Sequence, residues 1–241
     1  MVLDRRRDNA AMGGLGAASI LSPRLNPLLP RPAAAGVGDF YEGEPGCWRA
    51  AIIFNIGAGH EPALSILDTL EAYQVPVTMF LMGWWLDYMP DTARYIASFG
   101  HPLGSHGNLP PELTLRGDDD VKADIWATEE AFWRVLGYGP EPIFTAYAGA
   151  SDARVNALAA RLGYTMIGWE VETADWNPDV SASMIYNSVV NNIYDGGIIE
   201  MHLDASASAD TTAVALPWVL DTLIERGYNL VTIPELMQSC S

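Results

Sequence analysis

From Trp48 to the C-terminus, short apolar runs alternate with longer amphipathic stretches, and that rhythm leaves few folds open. Residues 51–54, 77–81, 103–106, 143–146, 166–169, 197–202 and 229–232 read as strands, rich in β-branched and other apolar side chains. Between them, 62–73, 90–99, 118–136, 152–162, 181–193 and 213–225 carry apolar residues at helical spacing. In 62–73 these are Ala63, Leu64, Leu67, Leu70 and Ala72. In 118–136 we expect Ile125, Ala131, Phe132 and Leu136 to face inward and the acidic residues outward. Gly100 and Gly137 follow two of these stretches, where a helix end often needs a left-handed residue. Strand-helix alternation calls for parallel strands joined by crossover helices. Roughly seven units imply an α/β fold, a distorted or incomplete (β/α)7-type barrel, with its chemistry at the C-terminal ends of the strands.

Charge narrows the function. The chain has 30 acidic against 13 basic residues, a net charge of -17, and Lys122 is its only lysine. Binding nucleic acid requires clustered Lys and Arg, so that class is excluded and anionic membrane surfaces are disfavoured. No apolar run is long enough for a transmembrane helix. Residues 1–35 stand apart: Arg5-Arg6-Arg7, a Gly/Ala-rich apolar stretch, a Pro-rich segment, then Ala33-Ala34-Ala35. This is either an export signal, the paired arginines pointing to the twin-arginine route, or an N-terminal arm ahead of a domain spanning 36–241. Cys47 opens the folded region and Cys240 nearly ends it. First and last elements of a barrel are neighbours, so the two either form a disulfide, fitting an oxidising, extracellular or cell-envelope location, or are separate free thiols.

Five segments fall at expected strand ends: Ala51 to Gly57, Gly104-Ser105-His106, Phe144 to Gly149, Trp169 to Trp176, and Ile198 to His202. With Gly100-His101-Pro102-Leu103 and the ending Leu216-Pro217 to Ile233, they resemble the polysaccharide deacetylase family, or NodB homology domain, over about residues 48–238. The resemblance implies a NodB-like barrel and a hydrolase that removes acetyl groups from N-acetylated glycans, breaking a non-peptide carbon–nitrogen bond. It also implies where this chain departs. The catalytic base of the family falls on Asn55 and its metal-binding aspartate on Ile56. Of two metal-binding histidines, spaced to face one ion, the first is His106 and the second falls on Pro110. The arginine that pairs with the base is Thr145, while Tyr147, whose backbone N–H would contact the oxyanion, is kept together with Gly149. Losing base and arginine together is coherent, since a buried arginine left alone is costly.

The acid side is retained. His202 resembles the general acid and Asp175 the carboxylate that orients it; a structural hydrogen bond is the alternative for such a pair. Trp169, Trp176, Tyr147 and Glu200 are candidates for binding sugar, although aromatics at a barrel mouth also serve as core. A relocated zinc site would use His60, Glu61 and His106, with His101 away from the mouth; otherwise no cofactor is expected. There is no Walker loop and no Gly-x-Ser-x-Gly elbow. Three readings follow: a deacetylase with a displaced metal, a metal-free amide hydrolase using His202 and Asp175, or a pseudoenzyme that binds a carbohydrate polymer or oligosaccharide without cutting it. The loss of the residues that activate water favours the third.

Overall fold

The computed structural model describes residues 39–240; the segment 1–35 lies outside them. Its centre is β1 (Arg49–Ile56), in which every residue after Arg49 is buried. It is flanked by β2 (Thr78–Leu81) on one side and by the strand Ile198–His202 on the other. Further out from β2 lie β3 (Leu103–Ser105), β4 (Ile143–Phe144) and β5 (Thr165–Met166). The next strands in the chain are β6 (Val171–Glu172), β7 (Ile198–His202) and β8 (Asn229–Leu230). The order is β5-β4-β3-β2-β1-β7-β6, every pairing is parallel, and β8 pairs with the first two residues of β1. The sheet curves as a barrel whose edges, β5 and β6, do not pair with each other. The incomplete barrel expected from the sequence is therefore found.

One expected strand ends early. Residues 166–169 read as a single strand, but β5 stops at Met166, and the next strand, Val171–Glu172, lies at the opposite edge of the sheet. The chain crosses the gap between them, where Ile167 bridges to Phe40 and Gly168 lies beneath the Tyr41 ring. A side chain at 168 would occupy the space of that ring and force it to move.

The helices α1 (Ser65–Tyr73), α2 (Gly83–Tyr88), α3 (Pro90–Ser98), α4 (Asp118–Leu136), α5 (Ala153–Arg161), α6 (Ala182–Asn192) and α7 (Thr212–Glu225) cover the outer face, and α8 (Ile233–Leu236) follows β8. Strand alternation sorts the two faces. Ile52, Phe54 and Ile56 of β1 and Ile199, Met201 and Leu203 in and after β7 pack outward with Leu67, Trp85, Leu216 and Leu220 of the helices. Ala51, Ile53 and Ile198 belong instead to the cluster with Phe80, Ile143 and Val231. The same alternation sends Asn55, Glu200 and His202 to the inner face. Ends are fixed locally: Asp152 accepts from Val155 N, Ser181 from Met184 N, and Thr232 with Glu235 forms a capping box before α8.

One acidic residue of α4 departs from the expected outward orientation. Asp124 is buried, bonding Asn108 N at 2.6 Å, Leu109 N at 3.1 Å and the Arg116 guanidinium at 2.8 Å. It thereby holds the loop between His106 and Pro110. Cys47 and Cys240 lie at disulfide distance, their Cα atoms 5.8 Å apart across 193 residues of chain.

Asp124→Ala strips three donors of their acceptor in a largely buried setting. We expect a loss of about 3 kcal/mol of unfolding free energy, read by denaturant titration. A change under about 1 kcal/mol would show the pair to be no more than a surface contact.

Candidate functional site

A cleft of about 520 Å³ opens at the C-terminal ends of the strands. Its floor is a chain of hydrogen bonds contributed by β1, β3, β7 and the loops after β4 and β6. His106, next after β3, places Nδ1 at 2.7 Å from Thr145 Oγ1 and 3.2 Å from the Thr145 carbonyl. A carbonyl only accepts, so Nδ1 carries the proton and Nε2 keeps its lone pair. Thr145 Oγ1 then donates to Asn55 Oδ1 at 2.9 Å, and Asn55 Nδ2 donates to Glu200 Oε1 at 3.1 Å. That oxygen also takes His202 Nε2 at 3.2 Å. On the other side of the imidazole, Nδ1 donates to Asp175 Oδ1 at 2.8 Å. Asp175 Oδ2 accepts from His202 N at 2.8 Å and Thr212 Oγ1 at 2.7 Å. Seven side chains from five strand ends and one helix start thus form one continuous network.

Charge is distributed unevenly along it. Burial lowers the His106 pKa to about 3, reinforced by the His202 charge and opposed by the Thr145 carbonyl. For His202, burial alone would lower the pKa, but Glu200 and Asp175 outweigh it and hold it near 9. Burial raises Glu200 to about 7, opposed by His202 and Asn55 and assisted by Asp175 and Glu172. The imidazolium between two carboxylates is the state the geometry favours. Nearby, Asp204 accepts from Gly57 N and from Gly59 N, the latter at 2.8 Å, clamping the turn that leaves β1. Burial raises its pKa, and those backbone donors oppose the rise.

The wall is aromatic. Tyr147 begins a 3₁₀ turn (Tyr147–Gly149) with its ring centroid 6.4 Å from that of His106. Trp169 packs on Gly149, Trp176 is 53% exposed at the rim, and Trp84 of α2 completes the wall. The site residues expected from the sequence that line the cleft are Asn55, His106, Pro110, Tyr147, Trp169, Trp176, Glu200 and His202. Asp175 lies beneath, fully buried. Ile56 does not reach the cleft; it faces the helices. The relocated zinc set is not assembled, because His60 and Glu61 are exposed and do not gather with His106. His101 sits in a separate groove beside Gly100, away from the mouth as expected. Trp84, Glu172 and the clamp Asp204 escaped the sequence reading. Trp84 belongs to the aromatic-rich start of α2, and that position was its only signal.

A divalent metal does not fit these residues. Ile56 and Pro110 offer no donor atom, leaving the single Nε2 of His106. Asp175, Glu200 and His202 do bring three donors within 4.8 Å. They do so around opposite nitrogens of one ring, both of which hold protons toward carboxylates, so the group suits a proton rather than an ion.

A curved parallel sheet thus carries an Asp–His pair and an aromatic cleft at its strand ends. The family model for polysaccharide deacetylase matches residues 42–167, and the chain belongs to that family. A peptidoglycan-N-acetylglucosamine deacetylase of Bacillus cereus is 30% identical over 191 residues, 79% of this chain and 69% of the relative. A crystal structure of a peptidoglycan N-acetylglucosamine deacetylase bound to a naphthalenyl N-oxidanyl-benzamide superposes with a TM-score of 0.78 at 28% identity, over 85% of this chain and 94% of that one. A CE4 family pseudoenzyme from Bacillus anthracis shares the fold, with a TM-score of 0.77 at 24% identity over 84% and 70% of the two chains.

The histidines supply a direct check by ¹⁵N NMR titration. His106 is expected to stay neutral, protonated on Nδ1, down to about pH 3, and His202 to stay charged up to about pH 9. Because its folded pKa lies above the ordinary 6.5, His202 stabilises fully below that value and loses the contribution as pH rises through about 9. A His202 that titrates near 6.5 would mean that the two carboxylates do not hold it.

Proposed function

We propose that this chain is a polysaccharide deacetylase-like protein that binds cell-wall-type glycan in its aromatic cleft and has given up metal-dependent hydrolysis. The observation that carries the reading is the Asn55–Glu200 bond, 3.1 Å. It fills the base position with an amide that cannot take a proton from water. The metal-ligand positions at Ile56 and Pro110 agree, and no divalent cofactor is part of the proposal. The peptidoglycan activity in the relatives' names supports a wall glycan as ligand. Together with the cysteines at disulfide distance, it supports a location outside the cytoplasm.

His202 and Asp175 then act as positioning residues. A metal-free amide hydrolase would need His202 Nε2 free to protonate a leaving amine, and that nitrogen is taken by Glu200. Sugar rings would stack on Trp169, Trp176 and Tyr147, whose flat faces match the apolar faces of pyranose rings.

Incubating the protein with N-acetylglucosamine oligomers or peptidoglycan, with and without added zinc, should release no acetate above the no-enzyme control. Release that His202→Ala abolishes would sink the proposal. Trp176→Ala should weaken glycan binding about tenfold, roughly 1.4 kcal/mol, measured by tryptophan fluorescence. An unchanged affinity would remove Trp176 from the sugar-binding wall.

A further inference from the structure

The β6–β7 register sets Glu172 directly opposite Glu200, and both side chains line the cleft. Like charges facing each other across neighbouring strands destabilise a sheet, and no lysine or arginine among the described residues lines the cleft to offset them. His202 does not neutralise the pair, because it is shared between Glu200 and Asp175. Both protein donors to the Glu200 carboxylate, Asn55 and His202, meet Oε1. Oε2 has no donor among the described residues, on a residue only 2% exposed. Glu172 is steadied at the rim by the Trp176 indole N–H at 3.5 Å. On the same wall, the buried indole N–H of Trp84 has no acceptor among the described residues.

We propose that the cleft selects glycan whose amino sugars carry free, protonated amines, lodging an ammonium between Glu200 and Glu172 with the ring against the tryptophans. This rests on the glycan-binding reading and names its ligand: a polymer already stripped of N-acetyl groups, the chemical product of deacetylation rather than its substrate. An acetamido group is neutral and offers one N–H, whereas an ammonium offers three donors and the charge that two facing carboxylates lack. The acetamide methyl would also set an apolar group against Glu200 Oε2, leaving it unpaired. The reaction class that supplies such a ligand is N-deacetylation by another enzyme. The chain's net charge of -17 favours approach of a polycation.

Isothermal titration at neutral pH, where the amines still carry charge and the Glu200 carboxyl, raised to about 7, can ionise, compares short glucosamine oligomers with N-acetylglucosamine oligomers of equal length. The glucosamine oligomer should bind about tenfold tighter or better. Glu172→Gln, a change at an exposed position, should shrink that ratio about fivefold, and Glu200→Gln should shrink it further. Equal affinities, or a preference for the N-acetylated oligomer, would overturn the inference and leave glycan binding standing. Binding of neither oligomer would overturn both. A linear diamine binding as tightly as the glucosamine oligomer would reduce the effect to bulk charge and overturn the selectivity. Calcium or zinc binding that Glu172→Gln removes would reassign the two carboxylates to a metal and overturn it as well.

Discussion

The buried hydrogen bond from Asn55 to Glu200 is the contact on which the rest of the site depends. A carboxylate at position 55 would stand about 3 Å from that of Glu200, and two such charges cannot both persist in a buried setting. The amide removes the conflict by donating on one side to Glu200 and accepting on the other from Thr145. Thr145 is short enough to lie between Asn55 and His106, and its hydroxyl bridges them. Asn55, Thr145 and Glu200 therefore form one self-consistent set. The network that results links seven side chains through buried hydrogen bonds, and such networks rigidify a site.

The fold makes this possible through strand alternation. In β1 and β7 the inner face receives Asn55, Glu200 and His202, while Ile56 and Met201 pack under the helices. The pairing of Asn55 with His202 and of Ile53 with Glu200 puts the acid one step below the amide and the imidazole. A one-residue slip of β7 would send both polar residues into the apolar layer. Asp124 and Asp204, each buried with backbone donors, pin the loops that follow β3 and β1.

Much of the architecture was legible in the chain. Long amphipathic segments such as 118–136 and central apolar strands such as 197–202 carry periodicities that tertiary structure did not override. The short edge strands were not legible. A four-residue apolar run cannot show that it spans a gap between Thr165 and Val171, because its pairing is set by distant partners. Nor did helical spacing show that Asp124 turns inward, since that depends on Arg116 and on two backbone N–H groups of a neighbouring loop. Within the site, positions 55, 56 and 110 were singled out by resemblance alone. The meaning of Glu200 was not: its position two residues before His202 puts it on the inner face, but only the structure shows Asn55 bonded to it.

The proposed replacement of metal chemistry by amide and acid at the floor of the cleft is tested most directly by a crystal structure grown in excess zinc, with an anomalous difference map at the zinc edge. The expected result is no peak beside His106 Nε2 and an intact Asn55–Glu200 contact. A strong peak ligated by His106 and Glu200, with Asn55 displaced, would overturn the proposal.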